Sequence, residues 1–234
     1  ENMNRVYLVR HGENRANLTK EFSYKKVDYP LTAKGVLQAH QTGEHFKGKE
    51  IHEIYSSPLK RAQQTAKIIA GYLDMRVSEM EIFREVNVGS LECHPDFKEA
   101  WEINHRIVKT WMGGQPEEPY PDGENLLEIQ QRMRAGIEQV VRGKIGRNIL
   151  IVAHGGIFTF SLSGLCPEID AESLINSENH NCSITEIEAG NRNGDLDCQM
   201  VSWASHTHLR GEAAKLVSAV FKDGEDPSRA AQGD

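Results

Sequence analysis

Two short apolar runs, each leading directly into a His-Gly dipeptide, constrain the fold of this chain more than any other feature. The run at residues 6–9 is followed by Arg10-His11-Gly12, and the run at residues 149–152 is followed by Ala153-His154-Gly155. Continuous apolar runs rich in β-branched residues are typical of strands that are buried on both faces of a parallel sheet. In open α/β sheets the ligand site lies beyond the carboxyl ends of the strands. We therefore expect the two histidines to converge on one site.

Strand and helix patterns alternate along the rest of the chain. Further strands are predicted at residues 51–55 and 75–80, and residues 183–188 and 196–203 flank the turn residues Asn193-Gly194 as an antiparallel hairpin. Alternation of strands and helices gives a mostly parallel sheet covered by helices. The sequence therefore predicts an α/β fold, a three-layer αβα sandwich with a mostly parallel central sheet and one antiparallel edge region.

Three helices have recognisable starts. Thr32 is a capping residue for a helix whose apolar face includes Val36 and Phe46. Ser57-Pro58 combines a capping hydroxyl with a proline at the first helical position, which predicts a helix that begins at Pro58. Residues 124–142 carry apolar side chains every three or four positions, which predicts the third helix.

The length of 234 residues fits one large domain. We expect a single domain over residues 1–222, with a small helical cap inserted at about residues 92–125. Within that cap, residues 113–123 carry three prolines and three glycines, which predicts a long surface loop. The polar residues 223–234 predict a disordered tail.

Composition argues against several classes of function. The chain has 27 basic and 34 acidic residues and a formal net charge of -7, which argues against a nucleic-acid partner because phosphate backbones attract clustered Lys and Arg. No apolar run approaches the ~20 residues that span a bilayer, and the first residues lack a signal-peptide pattern, so we expect no membrane partner. The four cysteines lie far apart without a C-x-x-C pair, which favours reduced thiols and a cytoplasmic location.

The residues around His11 favour an anion over a metal ion. A metal site needs a third ligand, and the permanent charge of Arg10 would repel a divalent cation. The same guanidinium can bind a phosphoryl group with two parallel hydrogen bonds. Arg61 is predicted in the first turn of a helix, whose free N–H groups and dipole also attract anions. The sequence therefore predicts a phosphate site with no metal and no cofactor.

Five motifs, in order along residues 5 to about 190, resemble the signature of the histidine phosphatase superfamily, the phosphoglycerate mutase-like proteins. Any one of these motifs is weak, whereas five in the same order are specific. The motifs are Leu8-Val9-Arg10-His11-Gly12-Glu13 with Asn17, then Pro30-Leu31-Thr32 with Gly35 and Gln38-Ala39, then Ser56-Ser57-Pro58-Leu59 with Arg61-Ala62 and Thr65-Ala66, then Arg84-Glu85 with Gly89 and Leu91-Glu92, and finally Ala153-His154-Gly155-Gly156.

The resemblance implies a role for each matching residue. It implies that His11 is a nucleophile that forms a phosphohistidine, and that Glu85 is the general acid and then the base. The remaining site residues are implied to bind the phosphate or the substrate; they are Arg10, Asn17, Ser23, Arg61, His154 and Gly155. Of these, Arg10, Arg61 and His154 are also implied to be catalytic. Two positions depart from the family pattern, namely Asn14, where Ser or Thr is usual, and Cys93, where Gly is common.

Three functions are compatible with these motifs. The favoured one is a metal-independent phosphomonoester hydrolase of the histidine acid phosphatase type, acting on a small phosphorylated metabolite. A phosphoglycerate mutase is the alternative, although residues 85–154 lack the long arginine-rich insertion of that branch. A phospho-ligand-binding module without catalysis is disfavoured because every charged group expected for turnover is present. The sequence leaves the oligomeric state open, with a homodimer among the options.

Overall fold

The computed structural model describes residues 3–221, which build one six-stranded sheet between two layers of helices. The strands are β1 (Met3–Arg10), β2 (Glu53–Ser56), β3 (Val77–Glu79), β4 (Asn148–Ala153), β5 (Ile184–Arg192) and β6 (Asp195–Ser205). Their order across the sheet is β3-β2-β4-β1-β5-β6. The first four are parallel, whereas β5 and β6 run antiparallel at one edge. The predicted fold class is confirmed.

Helices connect the strands and cover both faces of the sheet. They are α1 (Arg15–Thr19), α2 (Ala33–Phe46), α3 (Lys60–Leu73), α4 (Phe97–Met112), α5 (Leu126–Val141), α6 (Gly155–Leu165) and α7 (Ala171–Ile175). Short 3-10 turns lie at Glu81–Phe83, Gly89–Leu91 and Gly211–Ala214.

Alternate residues of the central strands face opposite helical layers. In β1, Val6 and Leu8 pack in an apolar cluster that includes residues of α5 and α6. Tyr7 and Val9 pack in a second cluster, on the other face, with residues of α2 and α3. Because both faces are covered, every one of these positions is apolar. This double burial explains why the strand reads as a continuous apolar run.

The pairing of β1 with β4 determines where the two histidines lie. The two strands are parallel neighbours, and their register ends with Arg10 opposite Ala153. The next residues are His11 and His154, so the register places both histidines side by side at one edge of the sheet. The His11 N–H continues the ladder by donating to the Ala153 carbonyl oxygen over 3.0 Å.

Two of the three predicted helix starts agree with the structure. The Thr32 side chain accepts a hydrogen bond from the Gly35 N–H and caps α2. Asn125 caps α5 in the same way, so this helix begins two residues later than predicted.

The predicted start at Ser57-Pro58 is wrong. Helix α3 begins at Lys60, and no side chain caps it. The Ser57 hydroxyl accepts from the Leu59 N–H over 3.3 Å and also lies 2.7 Å from Nε2 of His154. It therefore combines a local turn hydrogen bond with a long-range contact.

The segment between β3 and β4 contains the predicted cap. Helix α4 lies inside residues 92–125, and residues 113–123 contain neither helix nor strand. This loop is less superficial than predicted, because Tyr120 is buried and its hydroxyl donates to Asn104 over 2.7 Å. The limits of the cap and of the single domain stay predictions, and the predicted tail at 223–234 lies outside the described residues. Within residues 3–221, no helix combines the length and apolarity needed to cross a membrane.

Candidate active site

The structure brings the two predicted histidines into one buried cluster. The ring centroids of His11 and His154 lie 5.3 Å apart, and the ring planes are tilted by 53°. The rings therefore converge as expected, although they do not stack face to face. Both side chains are buried, His154 completely.

The hydrogen bonds of His11 define its protonation state. Its Nδ1 lies 2.6 Å from the Gly12 carbonyl oxygen, which can only accept, so Nδ1 carries the proton. Nε2 is then free of hydrogen and accepts from Nε of Arg61 over 3.2 Å. Burial and the nearby cations Arg61 and Arg10 hold the pKa of His11 well below its usual value. His11 is therefore an uncharged imidazole with its Nε2 lone pair on the reactive side.

The two predicted arginines are buried cations, with 6% of Arg10 and 3% of Arg61 exposed. The Arg61 guanidinium donates to the Ser23 hydroxyl over 2.9 Å and to the Ser23 carbonyl oxygen over 2.6 Å. Burial lowers the pKa of Arg61 to about 10, so it stays charged at neutral pH. Arg10 donates to the Asn179 carbonyl oxygen, while its Nε has no partner among the described residues.

His154 lies behind the surface of the site. Its Nε2 shares a hydrogen bond with the Ser57 hydroxyl, and its buried Nδ1 has no partner within residues 3–221. Burial, and then the charge of Arg61, hold the pKa of His154 well below its usual value. Its side chain does not line the cavity described below, so its contact with phosphate stays a prediction.

Glu85 is held at the N-terminus of α6. Its carboxylate accepts hydrogen bonds from the N–H groups of Val86, Gly156 and Ile157, over 2.8, 3.2 and 2.9 Å. A Cβ at Gly156 would lie 2.6 Å from the carboxylate oxygen. Only glycine therefore allows this carboxylate to approach the helix so closely.

Asn14 explains how Asn17 is oriented. Asn14 caps α1 by accepting from the Asn17 N–H, and the Asn17 side chain accepts in return from the Asn14 N–H over 3.0 Å. Asn181 also donates to the Asn17 amide oxygen over 3.1 Å. The oxygen is thereby occupied, and the amide N–H groups are the donors that Asn17 can offer to a ligand. The departure from Ser or Thr at Asn14 thus keeps the capping function.

Cys93, the other departure, has a φ of 63° and an exposed side chain. This left-handed conformation is the one for which glycine is favoured. The usual Gly therefore fits the backbone of this position, and Cys93 retains that backbone with a side chain added.

Sequence reasoning missed Arg132, which holds the segment that carries Glu85. Its guanidinium donates to the carbonyl oxygens of Ile82, Arg84 and Glu85 over 2.8, 2.7 and 3.4 Å. It also pairs with both carboxylate oxygens of Glu124, at 2.7 and 3.0 Å. The available signal was a cation within the buried stripe of α5, three residues after Ile129 and one before Met133, both of which are buried.

Sequence reasoning also missed the role of Glu92. This buried carboxylate accepts hydrogen bonds from the N–H groups of four consecutive residues, 24–27. The loop so fixed begins at Ser23, the partner of Arg61. Glu92 therefore orders the wall of the site from a distance.

A cavity of about 570 Å³ opens in front of these groups. The predicted site residues that line it are Arg10, His11, Asn17, Ser23, Arg61, Glu85 and Gly155. A Cβ at Gly155 would lie 3.1 Å from Nε of Arg10, so glycine leaves room for that guanidinium. Among residues 3–221, no group of three or more His, Cys, Asp or Glu side chains is placed to hold a metal ion.

A buried pair of arginines beside an uncharged histidine, at the carboxyl edge of parallel strands, is suited to bind a phosphoryl group next to a nucleophilic nitrogen. The family model of the histidine phosphatase superfamily (branch 1) matches residues 6–201. The chain belongs to this superfamily.

Relatives and solved structures agree with this assignment. The chain is 36% identical to the uncharacterized phosphatase PhoE of Bacillus subtilis over 178 residues, which cover 75% of this chain and 86% of the relative. It is 33% identical to the probable phosphoglycerate mutase GpmB of Yersinia enterocolitica over 194 residues, covering 80% and 85%. The crystal structure of phosphoserine phosphatase from Entamoeba histolytica in complex with 3-phosphoglyceric acid matches with a TM-score of 0.73 and 28% identity, over 88% of this chain and 100% of that one.

The buried uncharged histidines predict that stability falls in mild acid. Unfolded His11 and His154 take up protons below a pKa of ~6.5, whereas the folded pKa of each is lower. The stabilisation is therefore fully present above pH 6.5 and is lost as the pH falls. The two residues together should lower the free energy of unfolding by about 2 kcal/mol between pH 6.5 and 5.5, as measured by urea denaturation.

His154→Gln provides the control, because it removes one of the two groups and should reduce that slope by about half. A free energy of unfolding that stays constant from pH 7.5 to 5.5 in the parent protein would contradict the buried neutral imidazoles.

Proposed function

We propose that this protein is a metal-independent phosphomonoester hydrolase that acts on a small phosphorylated metabolite through a phosphohistidine at His11. The observation that carries the proposal is the hydrogen-bonding of His11, with Nδ1 donating to Gly12 and a bare Nε2 beside Arg61. Phosphoryl transfer asks mainly for positioning and for neutralisation of the phosphate oxygens. Arg10 and Arg61 supply two permanent charges for that purpose.

In the first step, Nε2 of His11 forms a bond to phosphorus as the ester P–O bond breaks. The Arg61 N–H that now binds Nε2 turns to a phosphate oxygen, which frees the lone pair for attack. Glu85, in its acid form, gives its proton to the leaving oxygen, so the product departs as an alcohol.

In the second step, water attacks the phosphorus of the phosphohistidine while the P–N bond breaks. The Glu85 carboxylate now takes the proton from that water, and His11 regains its free Nε2. Inorganic phosphate leaves, and the enzyme returns to its starting state. Covalent capture thus replaces one difficult displacement with two easier ones.

A phosphoglycerate mutase is the second candidate, supported by the relative named as one. A mutase has to hold a phosphorylated intermediate and exclude water from it. Among the described residues, Lys20 is the only Lys or Arg besides Arg10 and Arg61 that lines the cavity. This scarcity of further cations favours hydrolysis.

Three finer assignments belong to the same proposal. The histidine acid phosphatase type rests on the sequence motifs alone. A cytoplasmic location is supported by four free cysteines, of which Cys166, Cys182 and Cys198 are buried. A homodimer stays among the options that the sequence left open.

Replacement of His11 tests the covalent step. His11→Ala should reduce release of inorganic phosphate from an aryl phosphate by at least about 1,000-fold, because no other group at that position can accept the phosphoryl group. The assay is run in EDTA without added metal, since the proposal needs none. Activity of the variant above a few per cent of the parent would contradict covalent catalysis at His11, and activity of the parent that depends on Zn²⁺ would contradict metal independence.

Replacement of Glu85 tests proton donation. Glu85→Gln keeps the size of the side chain but cannot give up a proton, so it should slow alkyl phosphates by about 100-fold and 4-nitrophenyl phosphate much less. The measurement is kcat/KM for both substrates in the parent and the variant, because this ratio reports the first phosphoryl transfer and leaves out the later role of Glu85 as a base. Equal slowing of both substrates would argue against donation to the leaving group.

Arg132 should act on the reaction through Glu85. Arg132→Met releases the carbonyl groups of residues 82, 84 and 85, so we expect kcat/KM to fall about tenfold for alkyl phosphates and less than about threefold for 4-nitrophenyl phosphate. Arg134→Met is the matched control, since Arg134 lies on the same helix, is partly buried like Arg132 and donates to the Gly164 carbonyl oxygen, away from Glu85. A uniform loss with both substrates would reduce Arg132 to a stabilising residue.

A further inference from the structure

The cavity beyond the phosphate-binding groups has an apolar wall. Phe22 and Trp101 pack there with ring centroids 4.7 Å apart and ring planes tilted by 33°, and the ring centroid of His105 lies 5.8 Å from that of Trp101. Larger apolar side chains that also line the cavity come from six separate segments: Val86 and Val88, Val108, Tyr120, Phe160, Ile175 and Val220. Side chains from such distant parts of the chain meet around one space, next to the site of phosphoryl transfer.

The polar atoms of the aromatic wall are already occupied by the protein. The Trp101 indole N–H donates to the Lys20 carbonyl oxygen over 2.9 Å. The Tyr120 hydroxyl donates to the Asn104 side chain over 2.7 Å. The rings therefore offer a ligand their carbon surfaces rather than hydrogen bonds.

The charges in this part of the cavity do not favour an anionic substituent. Within residues 3–221, the Lys, Arg, Asp and Glu side chains that line the cavity away from His11 are Lys20, Glu21 and Glu178. The Lys20 ammonium donates to the Ser218 carbonyl oxygen. One ammonium against two carboxylates leaves this region without an excess of positive charge for a second phosphate or a carboxylate.

We infer that the leaving group of the substrate is an uncharged, largely apolar alcohol, aromatic or alkyl, that packs against Phe22 and Trp101. This inference rests on the proposed hydrolase function and names the class of its substrates. It separates this chain from relatives named for phosphoserine or phosphoglycerate, whose leaving parts carry a carboxylate. Burial of apolar surface would supply the binding energy that ionic contacts supply to such substrates.

The test compares phosphomonoesters whose leaving groups are primary alcohols, so that their chemical reactivity is similar. They are 3-phenylpropyl phosphate, ethyl phosphate and phosphoserine, and kcat/KM is measured for each from the release of inorganic phosphate. We expect kcat/KM for 3-phenylpropyl phosphate to exceed both others by about 100-fold, since each methylene group in an apolar pocket can contribute tenfold or more.

Two variants connect this preference to the wall. Phe22→Ala should lower kcat/KM for 3-phenylpropyl phosphate by about tenfold and change that for ethyl phosphate by less than about twofold. Phe22 is only partly buried, so we expect its replacement to leave the fold intact. Tyr72→Ala, which removes a partly buried aromatic ring outside the cavity, should leave both values unchanged.

Each remaining outcome is decisive. Values of kcat/KM within about threefold of one another, or a preference for phosphoserine, would overturn the apolar leaving group and leave the hydrolase function intact. An unchanged preference in Phe22→Ala would show that this wall does not select the substrate. If the protein released phosphate from none of the three esters and none from 4-nitrophenyl phosphate, the proposed function itself would be overturned.

Discussion

The parallel pairing of β1 with β4 is the constraint on which the site depends. Each strand carries a histidine one residue beyond the last paired position, so a slip of register would separate the rings. The neighbouring strand β2 adds Ser57 and, through α3, Arg61 at the same edge. Groups that are far apart in the sequence therefore meet because three adjacent strands end together.

Placing two guanidinium groups in a buried site is costly, because burial disfavours their charge. Carbonyl and hydroxyl oxygens offset part of that cost at Arg61 through Ser23, and at Arg10 through Asn179. The same burial, together with these charges, keeps His11 uncharged. A phosphate dianion that entered the site would neutralise both guanidinium charges. The excess positive charge of the site in the free protein therefore favours that ligand.

Much of the fold follows from local patterns in the sequence, because buried strands, helix caps and the Asn193-Gly194 hairpin depend on nearby residues. The residues predicted to bind the phosphate also belong to local motifs, as His11 and Arg61 show. Arg132 and Glu92 escaped prediction because each binds backbone atoms of a segment about 50 to 70 residues away. The contact of Ser57 with His154 escaped prediction for the same reason, since 97 residues separate the two.

The adjacent glycines at 155 and 156 lie against two groups of opposite charge, the guanidinium of Arg10 and the carboxylate of Glu85. A side chain at Gly155 would press on Arg10, and one at Gly156 would press on Glu85. The backbone of the first turn of α6 thus lies between the guanidinium and the carboxylate. A helical backbone moves less than a side chain, so it holds the two groups at a fixed separation. A side chain at either position would therefore displace a group of the proposed reaction, Arg10 or Glu85.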